Sequence, residues 1–329
     1  MVNILVLGST GYVGSRLVER LVDEGYNVHA GWRTESKLKS QSWKAHPKVQ
    51  TVHVDVLDIE ELKEAMKGCD VVFYLVHSMY SGKDFANLDR QAAKNIVTVA
   101  DELGTKRIIY LGGLGRKDDE LSLHLRSRKE VERILRSSKT PVTTFQAAMI
   151  IGPGSASFEI MRYLVNRLPV MITPKWVRTK TQPISIEDTI EYLVGCISKP
   201  DTVGQSFDIG GPEITTYQDL MTMYATEAGL IQRLAFPIPL LTPNLSSYWV
   251  ELVTPIQATI ARPLIEGLSH ETICRDNRIR KIIPRKLLTI RESIQNTLSE
   301  IYGYKFGKSK DTKQFQDVSK SRRKLFQLR

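Results

Sequence analysis

The stretch Val6-Leu7-Gly8-Ser9-Thr10-Gly11-Tyr12-Val13-Gly14 constrains this chain more than any other part of it. A short apolar run, residues 2–7, precedes the glycines, and Leu17, Leu21 and Val22 come after them at helical spacing, so the segment reads as strand, turn and helix start. Each glycine has its own use. Gly8 takes a backbone conformation closed to other residues, Gly11 lets a ligand approach the main chain, and Gly14 lets the helix pack closely on the strand. The amides of the helix start then point at an anion, and the pyrophosphate of a dinucleotide is the usual one. Gly8, Thr10, Gly11, Tyr12, Val13 and Gly14 are therefore the expected cofactor contacts, with a ligand-free structural turn as the plain alternative.

Beyond the first helix, strand and helix patterns alternate. Residues 26–32, 49–54, 70–76, 107–111 and 142–148 read as further strands, and 59–66, 85–103 and 125–135 as helices, with Gly104 stopping the longest. Such βαβ alternation implies an α/β fold, a doubly wound parallel sheet of the Rossmann kind, which binds its ligand at the carboxyl ends of the strands. That edge sets Asp55 and Val56 against the adenine, and Leu75, Val76 and His77 against the middle of the cofactor. Arg33 comes directly after the second strand, where an NAD site carries an acidic residue for the ribose hydroxyls. A guanidinium there suits a 2′-phosphate, so NADP(H) is expected over NAD(H), an ordinary surface arginine being the alternative.

Past Ile151-Gly152-Pro153-Gly154 the segments shorten and proline becomes frequent. The expected division is a cofactor domain over 1–150 that also receives residues of about 180–212, a smaller substrate lobe over 151–302, and a basic tail over 303–329. Residues 236–268 are apolar with few charges, which suits a pocket for an apolar substrate or, less favoured, a membrane-docking face.

The net charge of +10 invites a nucleic-acid reading, but residues 303–329 alone carry +7 of it. A body with so little excess charge argues against specific nucleic-acid binding, and the tail reads as a solvated segment. Cys69, Cys196 and Cys274 match no metal-ligand spacing and fit a reducing compartment. The apolar run at residue 2 enters the glycine turn without a basic leader, and no apolar stretch is long enough to span a bilayer. A cytoplasmic protein is expected, with peripheral membrane contact as an option.

The glycine pattern, Asp55-Val56, Pro183-Ile184-Ser185-Ile186-Glu187-Asp188 and Phe207-Asp208-Ile209-Gly210-Gly211-Pro212 resemble the extended and atypical short-chain dehydrogenase/reductase superfamily. More narrowly, residues 74–79, 110–115, 124–128 and 246–249 resemble its NAD(P)H-binding NmrA-like and YbjT-like group. The resemblance implies a Rossmann fold, a nicotinamide cofactor and a proton relay of Ser, Tyr and Lys. Here His124 stands in the tyrosine's place, Arg128 in the lysine's and Gly113 near the serine's. Two readings are open: a reductase of an apolar small molecule with His124 as a near-neutral acid and Arg128 on the ribose, or a chain whose His124 merely faces the cleft or solvent. The second reading leads to a non-catalytic dinucleotide-binding sensor or an assembly factor of a membrane complex.

Overall fold

The computed structural model describes residues 2–78, 84–115, 122–173, 175–231, 233–237, 251, 253–255 and 257–303. Residues 238–250, 252 and 256 of the apolar stretch, with them the motif at 246–249, and residues 304–329 of the basic tail lie outside these residues. The chain divides into two compact units, Met1–Ala148 with Ile186–Gly210 and His270–Leu287, and Met149–Ser185 with Gly211–Ser269 and Leu288–Arg329. Chain order alone leaves 270–287 within the smaller lobe, since nothing in it marks a segment that returns to an earlier core.

Among the described residues of the first unit, seven parallel strands form one sheet. Six are β1 (Asn3–Leu7), β2 (Asn27–Trp32), β3 (Val49–His53), β4 (Val71–Tyr74), β5 (Arg107–Gly113) and β6 (Val142–Ala147), and the seventh is Ser206–Ile209. Their spatial order is Ser206–Ile209, β6, β5, β4, β1, β2, β3. The order reverses between β1 and β4, which pair Leu7 with Tyr74, and this is the place where a doubly wound sheet opens a crevice at its carboxyl edge. The strands are near-continuous apolar runs because helices cover both faces. Leu5, Leu7, Val72, Tyr74, Ile108 and Tyr110 share one buried cluster with Ala92, Ile96, Val99 and Val131.

Helices α1 (Tyr12–Asp23), α2 (Glu35–Lys39), α3 (Ile59–Met66), α4 (Phe85–Leu103) and α5 (Leu123–Leu135) connect the strands. Helix α4 buries Phe85, Ala92, Ile96 and Val99 at helical spacing and ends where Gly104 adopts a left-handed φ of 64°. Helix α5 starts two residues before its expected position, because the Ser122 hydroxyl accepts from the Leu125 amide at 3.3 Å and caps it. The fourth strand ends at Tyr74 rather than Val76, and Leu75 still donates to the Leu7 carbonyl at 3.1 Å. A further helix, Ile186–Gly195, is followed by a 3₁₀ turn over Cys196–Ser198.

The second unit gathers helices Ala156–Arg167, Tyr217–Glu227, Ala258–Leu268 and Ile290–Tyr302. Phe158, Leu164, Leu220, Tyr224 and Ile294 are all buried in its core. The helix Ile290–Tyr302 opens on a reciprocal cap: Thr289 accepts from the Glu292 amide, and Glu292 accepts from the Thr289 amide. Among the described residues, two short parallel pairs, Val170–Thr173 with Leu234–Pro237 and Ile150–Ile151 with Ile184–Ser185, and one antiparallel pair, Lys180–Thr181 with Thr215–Thr216, complete it.

Candidate cofactor site

The turn between β1 and α1 is shaped by contacts that only glycine permits. Gly8 has φ of 84°, and a β-carbon on it would stand 3.0 Å from the Leu75 carbonyl oxygen. On Gly14 a β-carbon would come within 2.1 Å of the Gly8 oxygen, so helix and strand pack here through bare backbone. Gly11 donates to the Gly8 carbonyl at 3.0 Å and stands at the N-cap of α1 without a side chain to cap it. The first amides of α1, among them those of Val13 and Gly14, thus meet the crevice with no side-chain acceptor supplied by the cap. This is a cradle for an anion, and the residues present fit a dinucleotide pyrophosphate.

Two further bonds hold the cradle. The buried Ser9 hydroxyl donates to the Gly31 carbonyl at 2.8 Å, and the Ser9 amide donates to the same oxygen at 3.2 Å. The Gly turn is thereby tied to the end of β2. Tyr12 lies under the Arg16 guanidinium, 4.9 Å from its ring centroid, while Thr10 is half-buried at the turn.

At the end of β2, the Arg33 guanidinium is exposed and stands 3.7 Å from the Asp55 carboxylate. The two residues read separately from the sequence share one corner of the carboxyl edge. Asp55 also accepts from the Leu57 amide at 3.0 Å. The buried Asn95 of α4 donates to the carbonyls of Val56 and Leu57 at 3.0 and 3.1 Å, which fixes the loop expected at the adenine. Asn95 escapes a reading of the sequence because a single amide among the apolar positions of a helix carries no motif.

Beyond the tip of β4 the glycine turn and residues 75–77 come together, with the Val76 side chain 3.4 Å from where a Gly8 β-carbon would be. His77, His124 and Arg128 gather in the same region. Burial, then Arg128 and His124, hold the His77 imidazole well below its ordinary pKa. Burial and Arg128 push His124 down to about 3. His124 therefore stands as a neutral imidazole at pH 7, which corrects the expectation of a ring titrating near neutrality. Desolvation penalises the charged ring, and a cation one helical turn away penalises it further. Among the described residues, no carboxylate lies within ion-pair distance of the Arg128 guanidinium.

The group is held by a residue that sequence reasoning missed. Asp89 of α4, only 4% exposed, accepts from the Ser78 amide at 2.7 Å and from the Ser127 hydroxyl at 3.1 Å. One carboxylate thus links α4, α5 and the loop that carries His77. The buried Tyr110 hydroxyl donates to the Arg128 carbonyl at 3.3 Å, anchoring the same turn of α5 to β5. The Arg90–Glu130 pair, joined through two bonds of 2.8 and 2.9 Å, closes α4 on α5 outside them. Gly113 at the end of β5 leaves room for Leu125, whose Cδ2 would be 3.0 Å from an added β-carbon.

Residues 8–161 match the family model described as NAD(P)H-binding. Over that span, just under half of the chain, the sequence is similar to an NAD(P)H-binding domain. The resemblance to atypical short-chain dehydrogenase/reductases holds, and the relatives include reductases and a respiratory-complex subunit. Divinyl chlorophyllide a 8-vinyl-reductase of Arabidopsis thaliana is 25% identical over 225 residues, covering 64% of this chain and 54% of that protein. The chain therefore spans about half the length of that relative. Subunit 9 of the NADH dehydrogenase [ubiquinone] 1 alpha subcomplex from the same plant is 24% identical over 298 residues, covering 86% of this chain and 74% of the subunit. Among solved structures, the NADPH-dependent quinone oxidoreductase of Escherichia coli superposes with a TM-score of 0.71 at 19% identity, covering 89% of this chain and 99% of its own. That likeness is one of fold.

Among the described residues, no cluster of His, Cys, Asp or Glu is arranged to hold a metal ion, and no helix is long and apolar enough to cross a membrane. None of the three thiols is in a disulfide, and burial raises the pKa of Cys69 to about 11 and those of Cys196 and Cys274 to about 12.

Proposed function

We propose that this chain is an NADP(H)-dependent reductase of an apolar, conjugated small molecule, working without a Tyr/Lys proton relay. The observation that supports it best is the Arg128 guanidinium, which has no described carboxylate partner and stands beside a neutral His124 at the carboxyl edge of the sheet. A nicotinamide bound there supplies the hydride. Arg128 then stabilises the negative charge that develops on the acceptor, as a fixed cation in a desolvated place does most effectively. His124 orients the acceptor as a neutral imidazole, and the proton comes from water. Arg33 takes the cofactor's 2′-phosphate, and the first turn of α1 its pyrophosphate.

The names of two proteins like this one agree with such chemistry: one reduces a vinyl group, the other is a quinone oxidoreductase solved with NADPH. The test is NADPH consumption by the full chain against a panel of quinones and enones. Turnover that falls by about a hundredfold in Arg128→Met supports the reading. NADPH binding with no turnover on any acceptor sinks it.

A second reading is favoured by the long alignment with the respiratory subunit. In it the chain holds NADP(H) as a structural or sensing ligand and docks on a membrane complex. A stable assembly recovered from detergent extracts, with NADPH bound and unconsumed, would distinguish it.

A further inference from the structure

A cavity of about 120 Å³ lies wholly within the second unit. Its apolar wall is made by the buried side chains of Met171, Val177 and Met221. Two polar groups interrupt that wall. Arg233 donates through Nε to the Val165 carbonyl at 2.8 Å, and its terminal nitrogens meet no carboxylate among the described residues. Thr173 is 5% exposed, and its Oγ1 is enclosed with no hydrogen-bond partner among the described residues. Burial lowers the Arg233 pKa, as befits a cation drawn from water without a counter-charge.

A desolvated guanidinium and an enclosed hydroxyl on one apolar cavity are two incomplete interactions, and both are of kinds that a ligand oxygen completes. Their separation limits the ligand. Val170 pairs with Leu234 and Thr173 with Pro237, so Arg233 stands at the start of the paired segments and Thr173 at their end. Four strand residues span about 13 Å, which the reach of an arginine side chain shortens. The volume is near the roughly 150 Å³ that holds a benzene ring, which sets the size at five or six carbons.

We propose that this cavity binds a short aliphatic carboxylate bearing a second oxygen toward its far end. The carboxylate pairs with Arg233, the methylenes lie on Met171 and Met221, and the far oxygen accepts from Thr173. This site is separate in its residues from the glycine turn and does not depend on the reductase reading.

The test is isothermal titration of the full chain with 4-oxopentanoate, pentanoate, the neutral amide of 4-oxopentanoate and inorganic phosphate. Saturable binding of 4-oxopentanoate is expected, at least tenfold tighter than its amide or phosphate. Arg233→Gln weakens it about tenfold or more. Thr173→Val brings it down to the level of pentanoate while leaving pentanoate itself unchanged. Thr222→Trp, at an exposed position bordering the cavity, abolishes both and keeps the wild-type helix content by circular dichroism, so the proposal remains testable should Arg233→Gln not fold. Absence of binding up to millimolar ligand, phosphate binding as tightly, or affinity indifferent to Thr222→Trp would overturn it and leave a hydrated cavity only.

Discussion

The Gly8 carbonyl oxygen occupies the space that a side chain on Gly14 would need, 2.1 Å from an added β-carbon. Alanine in place of glycine inside a helix ordinarily stabilises by up to about 1 kcal/mol. Here the obstacle is backbone, so helix and strand must separate. Gly14→Ala is expected to destabilise the protein by about 2–4 kcal/mol in urea unfolding and to weaken NADPH binding at least tenfold. A variant as stable as the wild type would show that the close approach is not maintained in solution.

His124 and His77 make stability depend on pH in a defined direction. Both rings have lowered pKa values in the folded chain, so the unfolded state binds more protons as pH falls below about 6.5. Stability is therefore complete above that value and is lost as pH drops toward 3, by up to about 1.4 kcal/mol per pH unit for each ring. His124→Gln should flatten the dependence between pH 6.5 and 4.5, measured as the urea midpoint. An unchanged slope would mean that His124 is protonated or solvated in the fold.

Arg107 predicts a stability effect with no bearing on the cofactor. It is 5% exposed and donates to the Thr143 hydroxyl, the Thr202 hydroxyl and the Cys196 carbonyl, at distances from 2.6 to 3.0 Å. Arg107→Leu removes four buried hydrogen bonds and is expected to cost about 3 kcal/mol. NADPH affinity should stay within twofold, because Arg107 lies at the amino end of β5, away from the carboxyl edge.

The alternation of strands and helices was legible because each element carries its own period, and α4 begins and ends where apolar spacing and Gly104 place it. The glycine turn was legible because its residues are consecutive. Asp89 was not, since one carboxylate on a helix looks solvated until Ser78 and Ser127 are brought to it by the fold. The charge state of His124 was half visible. Its neighbour Arg128 lies four residues on, one helical turn away, and that spacing alone predicts a lowered pKa; the burial that adds most to it was not readable. Nor did spacing announce that Arg33 and Asp55, 22 positions apart, would meet at one corner.

The proposed preference for NADP(H) rests on that corner, and titration of the full chain with NADPH and with NADH, for wild type and Arg33→Ser, tests the assignment most directly. The wild type is expected to bind NADPH at least tenfold more tightly than NADH, and Arg33→Ser to remove the preference by weakening NADPH alone. Equal or tighter binding of NADH by the wild type would contradict it.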